Sequence, residues 1–331
     1  MKRNILKFIC GIGLVCGFWS CESGDKTFPD YEEGTTVYFP YQYPTRTIVL
    51  GDDEPSVDLT NDHNHQCQIM ATFGGSYNGS NGSVQVAVDE TLCNNLYFDD
   101  GVTPVKVMPS SYYTLSTTSL DFNGTFNGAT TVQLTDDFFN DPDAVTRTYV
   151  IPLVMTGQKG FGKILTGTLN EGETGPRTNS SAWDIKPMDY VLYCVKFQNK
   201  YSGWWLTNGT TSTENIEKAS TVEIKTLSLN DSKYTVSFQD GDKIYTVDLK
   251  LSFNGENCTI TSLTDGVTAT GNGSWGDDSE KKAWGDRDRD GMELNYAVDF
   301  GGGHKFSKHE KLVWQRSGVK PVDEFTPVYV K

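Results

Sequence analysis

Long apolar runs and an excess of basic residues are both missing from this chain. Its N-terminal apolar run, Ile5 to Phe18, is shorter than the roughly 20 residues that a helix needs to cross a bilayer. Lys and Arg total 28 against 43 Asp and Glu, so the formal net charge is −15. A surface of this sign repels nucleic acid phosphates and anionic lipid headgroups. We therefore expect neither as a partner.

Common catalytic motifs are also missing. The sequence has no GxSxG, no HExxH and no phosphate-cradling glycine loop, and it lacks the helix–strand alternation of a barrel hydrolase. Carboxylates are too numerous for one pair to stand out as a glycosidase acid and base. His304 and His309 flank a glycine-rich turn, with no Ser or Cys nearby in a nucleophile motif. We expect no catalytic residue and no enzymatic activity.

One acidic stretch, residues 286–291, resembles part of a calcium loop. It places aspartates at alternate positions and closes with a glycine. The bidentate glutamate that such a loop needs at its twelfth position is replaced by Ala297, and Arg287 and Arg289 offset the negative charge. The pattern favours a solvated hairpin turn, so we predict neither a metal nor another cofactor.

Histidine and cysteine give no complete metal site either. His63, His65 and Cys67 alternate at the start of a predicted strand, but a tetrahedral zinc site would need a fourth ligand from elsewhere. Beyond the N-terminal region, the cysteines are Cys67, Cys93, Cys194 and Cys258. Each lies in or beside a strand pattern, which favours free buried thiols. A Cys67–Cys93 disulfide is the main alternative.

The N-terminus reads as an export signal followed by a lipidation site. The apolar run is preceded by Lys2 and Arg3 and contains Lys7. A small residue and Cys21 follow it. This order resembles a lipobox of the Bacteroides type. It implies a signal peptide at residues 1–20, a lipid on Cys21 and a tether at residues 21–35. The residue after Cys21 is not aspartate, which fits sorting to the outer membrane, and we expect display on the cell surface.

The first half of the mature chain reads as an all-β domain. Gln66 to Phe73 and Ser83 to Val88 alternate apolar and polar residues, and Asn-Gly dipeptides lie in the loop between them. Aromatics make up 12% of the sequence, which fits β-sheets better than a disordered chain. About seven short strands predict an immunoglobulin-like sandwich over residues 36–170.

A second β domain is predicted after a linker. Residues 171–187 are rich in Gly, Thr, Asn, Ser and Pro, which marks a boundary. In residues 188–331, about eight further strand patterns follow one another through tight turns. This meander predicts an antiparallel up-and-down barrel of the calycin or lipocalin kind, with a second sandwich as the alternative.

The order of motifs resembles a family of Bacteroidetes surface lipoproteins. The residues that carry the resemblance in the first half are Val37-Tyr-Phe-Pro, Val84-Gln-Val-Ala-Val-Asp and Pro109-Ser-Ser-Tyr-Tyr-Thr-Leu-Ser. In the second half they are Lys200-Tyr-Ser-Gly-Trp-Trp-Leu and Leu312-Val-Trp-Gln-Arg-Ser-Gly-Val. The family's N-terminal domain also precedes the catalytic domain of some endo-β-N-acetylglucosaminidases. The resemblance implies a surface glycan-binding protein, and it implies no catalysis by this chain alone.

Tryptophans supply the candidate glycan surface, because sugars pack their C–H faces on aromatic rings. Trp204 and Trp205 are adjacent on a predicted strand and must point to opposite faces, so one of them stands outside the core or faces a lumen. Trp275 and Trp284 lie in a polar, glycine-rich stretch, residues 271–291, which we predict to be a surface loop. The candidate glycan-binding residues are Trp204, Trp205, Trp275, Trp284, Asp286 and Arg287.

The sequence therefore predicts a lipid-anchored outer-membrane protein that binds a glycan or polysaccharide without catalysis, as an accessory to uptake. Outer-membrane uptake proteins are its expected partners, and contact with the membrane is expected only through the lipid. The alternative is a structural or adhesive surface lipoprotein that binds a protein partner through its sheet faces. Exposed aromatics gathered on one surface favour the first, and aromatics buried in both cores favour the second.

Overall fold

The computed structural model describes residues 30–32, 34–51, 57–211, 220–283 and 285–331. The predicted signal peptide, Cys21 and most of the predicted tether lie outside the described residues. Among those described, no helix is both long enough and apolar enough to span a membrane.

Strands make up about 55% of the chain and helices about 7%, which confirms the predicted all-β class. The strands that precede the barrel are β1 (Thr36–Tyr38), β2 (Pro44–Val49), β3 (Gln66–Gly74), β4 (Ser83–Val88), β5 (Leu96–Tyr97), β6 (Lys106–Val107), β7 (Tyr113–Leu115), β8 (Ser119–Asp121), β9 (Asn127–Leu134), β10 (Tyr149–Lys159), β11 (Lys163–Ile164), β12 (Thr168–Leu169), β13 (Trp183–Ile185) and β14 (Tyr190–Gln198). The barrel strands are β15 (Gly203–Thr211), β16 (Ser220–Thr226), β17 (Asp231–Asp240), β18 (Lys243–Asn254), β19 (Asn257–Ser262), β20 (Thr268–Glu280), β21 (Arg289–Asp299) and β22 (Lys305–Arg316). The C-terminal strands are β23 (Val322–Glu324) and β24 (Val328–Tyr329). The helices are short: α1 (Thr60–His63), α2 (Asp136–Asn140) and single 3₁₀ turns at Glu90–Cys93, Pro142–Val145 and Ser180–Ala182.

The first domain is a sandwich of two sheets. One sheet has the order β11-β1-β3-β9-β7 and the other β23-β2-β14-β10-β4-β8, with β6 beside β10. Alternation along β3 explains the packing, because Cys67, Ile69, Ala71 and Phe73 are buried while Gln68 and Met70 are exposed. The sheets are mixed, since β1 pairs with β11 and β2 with β14 in parallel.

The second domain is a closed barrel of strands β15 to β22 in chain order, which confirms the predicted up-and-down barrel. Every second residue of each strand points into a lumen filled by side chains. Along β22, for example, Phe306, Glu310, Leu312 and Trp314 are all buried. The lumen is therefore a packed core over most of its length.

Strand β20 corrects one prediction. Residues 271–291 were expected to form a surface loop, yet Thr268–Glu280 is one long strand. Its inward positions include Gly271 and Gly273, where a Cβ atom would lie 2.5 Å from the Tyr296 Cβ and 2.6 Å from the Leu294 Cδ2. Glycines stand at inward positions where a strand usually carries apolar residues, and side chains of β21 fill the space instead. The alternation of apolar and polar residues that marks a strand is therefore not visible in this part of the sequence.

Strand β14 corrects the predicted domain boundary. Residues 190–198 were assigned to the barrel domain, but β14 pairs with β10 and β2 at the centre of a sandwich sheet. The chain also returns after the barrel, where β23 pairs with β2 and β24 pairs with β5. The barrel is thus inserted between the central strand of the sandwich and its edge strand, so two connections join the domains.

Candidate functional site

The chain enters the sandwich at the end opposite the barrel. Strand β10 runs between these ends, and its first residue, Tyr149, pairs with Val195, close to the start of the barrel. Three residues beyond its last residue, the Gly162 N–H donates to the Thr35 carbonyl oxygen over 2.9 Å. The eleven residues of β10 span about 35 Å at the usual rise of a strand. The sandwich therefore separates Thr35, near the start of the described chain, from the barrel.

The barrel has one end beside the sandwich and one end remote from it. At the near end, the Asn199 side chain donates to the Asp231 carbonyl oxygen over 3.1 Å, at the start of β17. The hairpin turns after Asp240 and Asp299 therefore lie at the remote end, which we call the distal mouth. Residues 212–219, which join β15 to β16 at this end, lie outside the described residues.

Aromatic rings gather at the distal mouth. Tyr245 and Phe300 are half-buried, with ring centroids 5.3 Å apart, and His304 stacks on Tyr245 at 4.7 Å and 29°. Beneath them, the buried rings of Phe238 and Phe306 stack at 4.9 Å. Each ring lies within two residues of the distal end of a strand, where the lumen meets solvent. The mouth therefore presents aromatic faces held in place by a packed floor.

Polar groups flank these rings. The His304 Nδ1 lies 3.5 Å from the Asp240 Oδ2, and both side chains are partly exposed. The Tyr245 and Phe300 rings offer apolar faces, while Asp240 and His304 offer a hydrogen-bond acceptor and a donor at the rim. This combination suits a ligand with both apolar faces and hydroxyl groups.

A buried carboxylate lies deeper on the same face of β22. Glu310 is fully buried and accepts from the Thr207 Oγ1 at 2.8 Å, the Tyr234 hydroxyl at 3.1 Å and the Tyr296 hydroxyl at 2.7 Å. The Lys308 ammonium completes this cluster, 2.7 Å from the Glu310 Oε2. Burial and the neighbouring carboxylate raise the pKa of Tyr234 and of Tyr296 well above their usual range, so both hydroxyls stay protonated donors. We call these five residues the Glu310 cluster.

The predicted tryptophan surface is not assembled in the structure. Trp205 is wholly buried in the lumen, and Trp275 is buried at the near end beneath the Lys200 ammonium, 3.9 Å from its ring centroid. Trp204 points outward, opposite to Trp205, and is half-buried beneath Arg316, 5.4 Å from its ring centroid. The pairing of β20 with β21 explains the burial of Trp275, because this strand replaces the predicted loop.

Two further predicted site residues, Asp286 and Arg287, lie at the turn between β20 and β21. Trp284 is outside the described side chains. Asp286 is exposed, whereas Arg287 is half-buried and interacts with another group of the protein. This turn belongs to the near end of the barrel, since it joins the end of β20 to the start of β21. The structure therefore brings none of the predicted residues that it describes to the distal mouth.

The acidic stretch 286–291 does not converge on one point. Asp288 pairs with the Lys281 ammonium at 2.9 Å, whereas the Asp290 Oδ1 accepts from the Asp278 N–H at 3.0 Å. Among the residues that the structure describes, no three His, Cys, Asp or Glu side chains come together as a metal site. The described cysteines are free thiols.

The distal aromatics were missed because each was interpreted as part of a strand or a turn. A signal was available, since Tyr245 shares the inward face of Val247 and Leu249 and is the third residue of β18, close to the preceding turn. An inward aromatic this close to the end of a barrel strand lines the rim. Only the closure of the barrel brings Phe300, some 55 residues later in the chain, beside it.

Comparisons with known proteins agree with the two-domain organisation. Residues 31–162 match a family model described as an N-terminal domain, and residues 197–318 match a domain of unknown function, DUF5627. The second match spans the barrel, whereas β14 falls largely between the two. No curated protein matches the chain.

Three solved structures from Bacteroides ovatus resemble the chain. A structural genomics protein of unknown function is 34% identical, with a TM-score of 0.82, and the match covers 91% of this chain and all of that one. A multidomain protein that includes DUF1735 is 12% identical, with a TM-score of 0.40 over 85% of this chain and 94% of its own. A further protein of unknown function is 11% identical, with a TM-score of 0.35 over 75% and 82%. From the match at 34% identity over its full length, the chain belongs to the same family as that Bacteroides ovatus protein.

Proposed function

We propose that this protein is a lipid-anchored surface protein of the outer membrane that binds a glycan at the distal mouth of its barrel. It acts without catalysis, as an accessory to polysaccharide uptake, and the uptake proteins of the outer membrane are its partners. The signal sequence, Cys21 and the Bacteroides relatives support the location. The aromatic distal mouth supports the ligand.

One observation carries the proposal. The half-buried rings of Tyr245, Phe300 and His304 meet at the end of the barrel farthest from the point where the chain enters the sandwich. Pyranose rings expose flat C–H faces that pack on aromatic rings, and their hydroxyls bond to carboxylates and imidazoles. Asp240 and His304 stand at the correct place for such bonds. A chain anchored through Cys21 would present this end away from the membrane, with the sandwich as a spacer.

The binding experiment uses the mature chain, residues 22–331, in affinity gel electrophoresis and calorimetry against host and plant polysaccharides. Measurements are made with and without calcium. For the polysaccharide that binds, we expect Tyr245→Ala and Phe300→Ala each to weaken binding by about tenfold, the scale of one aromatic contact. The matched control is Tyr77→Ala, because Tyr77 is 66% exposed on the sandwich, near the opposite end of the molecule.

Two other outcomes would overturn the assignment. Binding that survives Tyr245→Ala and Phe300→Ala but disappears in Trp204→Ala would show that the glycan binds at Trp204 on the outer wall of the barrel. Lack of binding across the whole panel would favour the structural or adhesive function instead.

The anchor is tested separately by metabolic labelling with a radioactive fatty acid in a Bacteroides host. We expect label on the wild-type chain and none on Cys21→Ala. Protease treatment of whole cells then tests surface display, because an outward-facing chain is cut while a periplasmic control is not. Label retained by Cys21→Ala would contradict the anchor.

A further inference from the structure

A cleft opens in the sandwich between strand β3 of one sheet and strands β2, β14 and β23 of the other. Its volume is about 390 Å³. The lining residues are mostly apolar and include Cys67, Ile69, Val191 and Tyr193. At the rim, the exposed fractions of Tyr41, Met70 and Val322 are 61%, 48% and 61%. A continuous apolar surface therefore leads from solvent to the space between the sheets.

One wall of this cleft is a free strand edge. Strand β3 pairs with β9 over Gln66–Thr72, but with β1 only over Thr72–Gly74. After Tyr38 the chain leaves β3 and crosses to the other sheet, where the Phe39 N–H donates to the Met188 carbonyl oxygen over 2.8 Å. Residues 66–71 of β3 thus have no strand on their second side within the described chain.

The phase of the ladder shows which main-chain groups face the cleft. The Leu134 N–H donates to the His65 carbonyl oxygen, which makes this pair a hydrogen-bonded one. Because hydrogen-bonded pairs alternate along an antiparallel ladder, Cys67 and Ile69 also bond to β9. The N–H and C=O groups of Gln68 and Met70 then point into the cleft. These groups have no backbone partner among the described residues.

We propose that this cleft binds an extended peptide segment of a partner protein, which adds as a strand to the free edge of β3. The Gln68 and Met70 main-chain groups are about 6.8 Å apart, the two-residue repeat of a strand, so an extended backbone bonds to both in register. Every second side chain of the added strand would enter the apolar cleft.

The charge of the cleft defines the partner further. Arg46 is the cation of the lining, and its guanidinium is already paired with the buried carboxylate of Asp62. No net charge is left at the floor, so the side chains that enter are apolar and uncharged. This site is separate from the distal mouth and does not depend on the proposed glycan binding.

The probes are synthetic seven-residue peptides with lysine at each end and threonine alternating with valine, leucine or phenylalanine between them. A control set carries N-methyl groups on alternate amides, which removes strand pairing and keeps the side chains. Binding to the mature chain is followed by fluorescence anisotropy, and amide exchange of Gln68 and Met70 by NMR. We expect saturable binding of at least one unmethylated peptide and slower exchange of both amides.

The decisive variant is Met70→Pro, which removes the N–H that faces the cleft and leaves the ladder to β9 unbroken. We expect it to weaken peptide binding by about tenfold, equal to about 1.4 kcal/mol. Met70→Thr keeps the N–H and serves as the matched control, with a smaller effect. Equal binding to Met70→Pro and to wild type, equal binding of the methylated peptides, or no binding by the whole set would overturn the proposal.

Discussion

Removal of the buried carboxylate of the Glu310 cluster should destabilise the barrel strongly. In Glu310→Leu, the hydroxyls of Thr207, Tyr234 and Tyr296 lose their common acceptor, and Lys308 loses its counter-ion. Each buried hydroxyl left without a partner costs about 1–3 kcal/mol. Breaking a buried ion pair by removing one member costs about 3–5 kcal/mol. Because relaxation and water at the partly exposed Lys308 recover part of this, we expect a loss of about 4 kcal/mol in the free energy of unfolding.

Two milder variants separate the charge from the hydrogen bonds. In Glu310→Gln the amide oxygen still accepts from the groups that bond to Oε2, while the bond from Tyr296 to Oε1 is lost. We expect a cost of about 2–3 kcal/mol. Lys308→Met leaves the carboxylate with its three hydroxyl donors, and since the Lys308 side chain is 16% exposed we expect only about 1–2 kcal/mol.

Urea unfolding followed by tryptophan fluorescence measures these costs, because Trp205 and Trp314 are buried in the barrel and report on its core. The expected order of destabilisation is Glu310→Leu, then Glu310→Gln, then Lys308→Met. The double variant Glu310→Gln/Lys308→Met should cost less than the sum of the two single changes. A loss below about 1 kcal/mol for Glu310→Leu would show that the cluster is solvated and refute the reasoning.

Two further predictions follow from burial. Because burial raises the folded-state pKa of Tyr234 and of Tyr296, the unfolded chain loses these protons first. The contribution of these two tyrosines to the free energy of unfolding is therefore constant below about pH 9 and falls above about pH 10, by up to about 1.4 kcal/mol per pH unit for each. Urea midpoints from pH 8 to 11 check this, and an equally steep fall in Tyr296→Phe would contradict it. Burial also raises the pKa of the Cys67 and Cys194 thiols to about 12, so thiol reagents at pH 8 should modify them only after unfolding. Fewer than four thiols in the denatured, unreduced 22–331 chain would instead reveal a disulfide.

Much of the architecture was predictable because its signals are local. Alternation marks β3 and β4, and both appear where the pattern placed them. Adjacent residues on a strand must point to opposite sides, and Trp205 is buried in the lumen while Trp204 lies outside, although the sequence did not indicate which of the two is buried. The tight turns between successive strands predicted the meander that closes into the barrel. These features depend only on neighbours in the chain.

Predictions failed where distant parts of the chain decide the outcome. The inward glycines of β20 hide its alternation, because their space is filled by side chains of β21. Strand β14 follows a linker-like stretch but completes the sheet of the preceding domain, since its partners β2 and β10 are far away in sequence. The predicted tryptophan surface failed for the same reason, because Trp275 is buried by strand pairing.

The sequence by itself determined the all-β class, the strand periodicity and the sign of the net charge, since each depends on composition or on short-range spacing. Only the tertiary structure decided which aromatic rings meet at the distal mouth, which donors surround Glu310 and where β3 keeps a free edge. Those arrangements join residues that are far apart in the chain. Barrel closure and sheet order bring them together, and no local pattern records either.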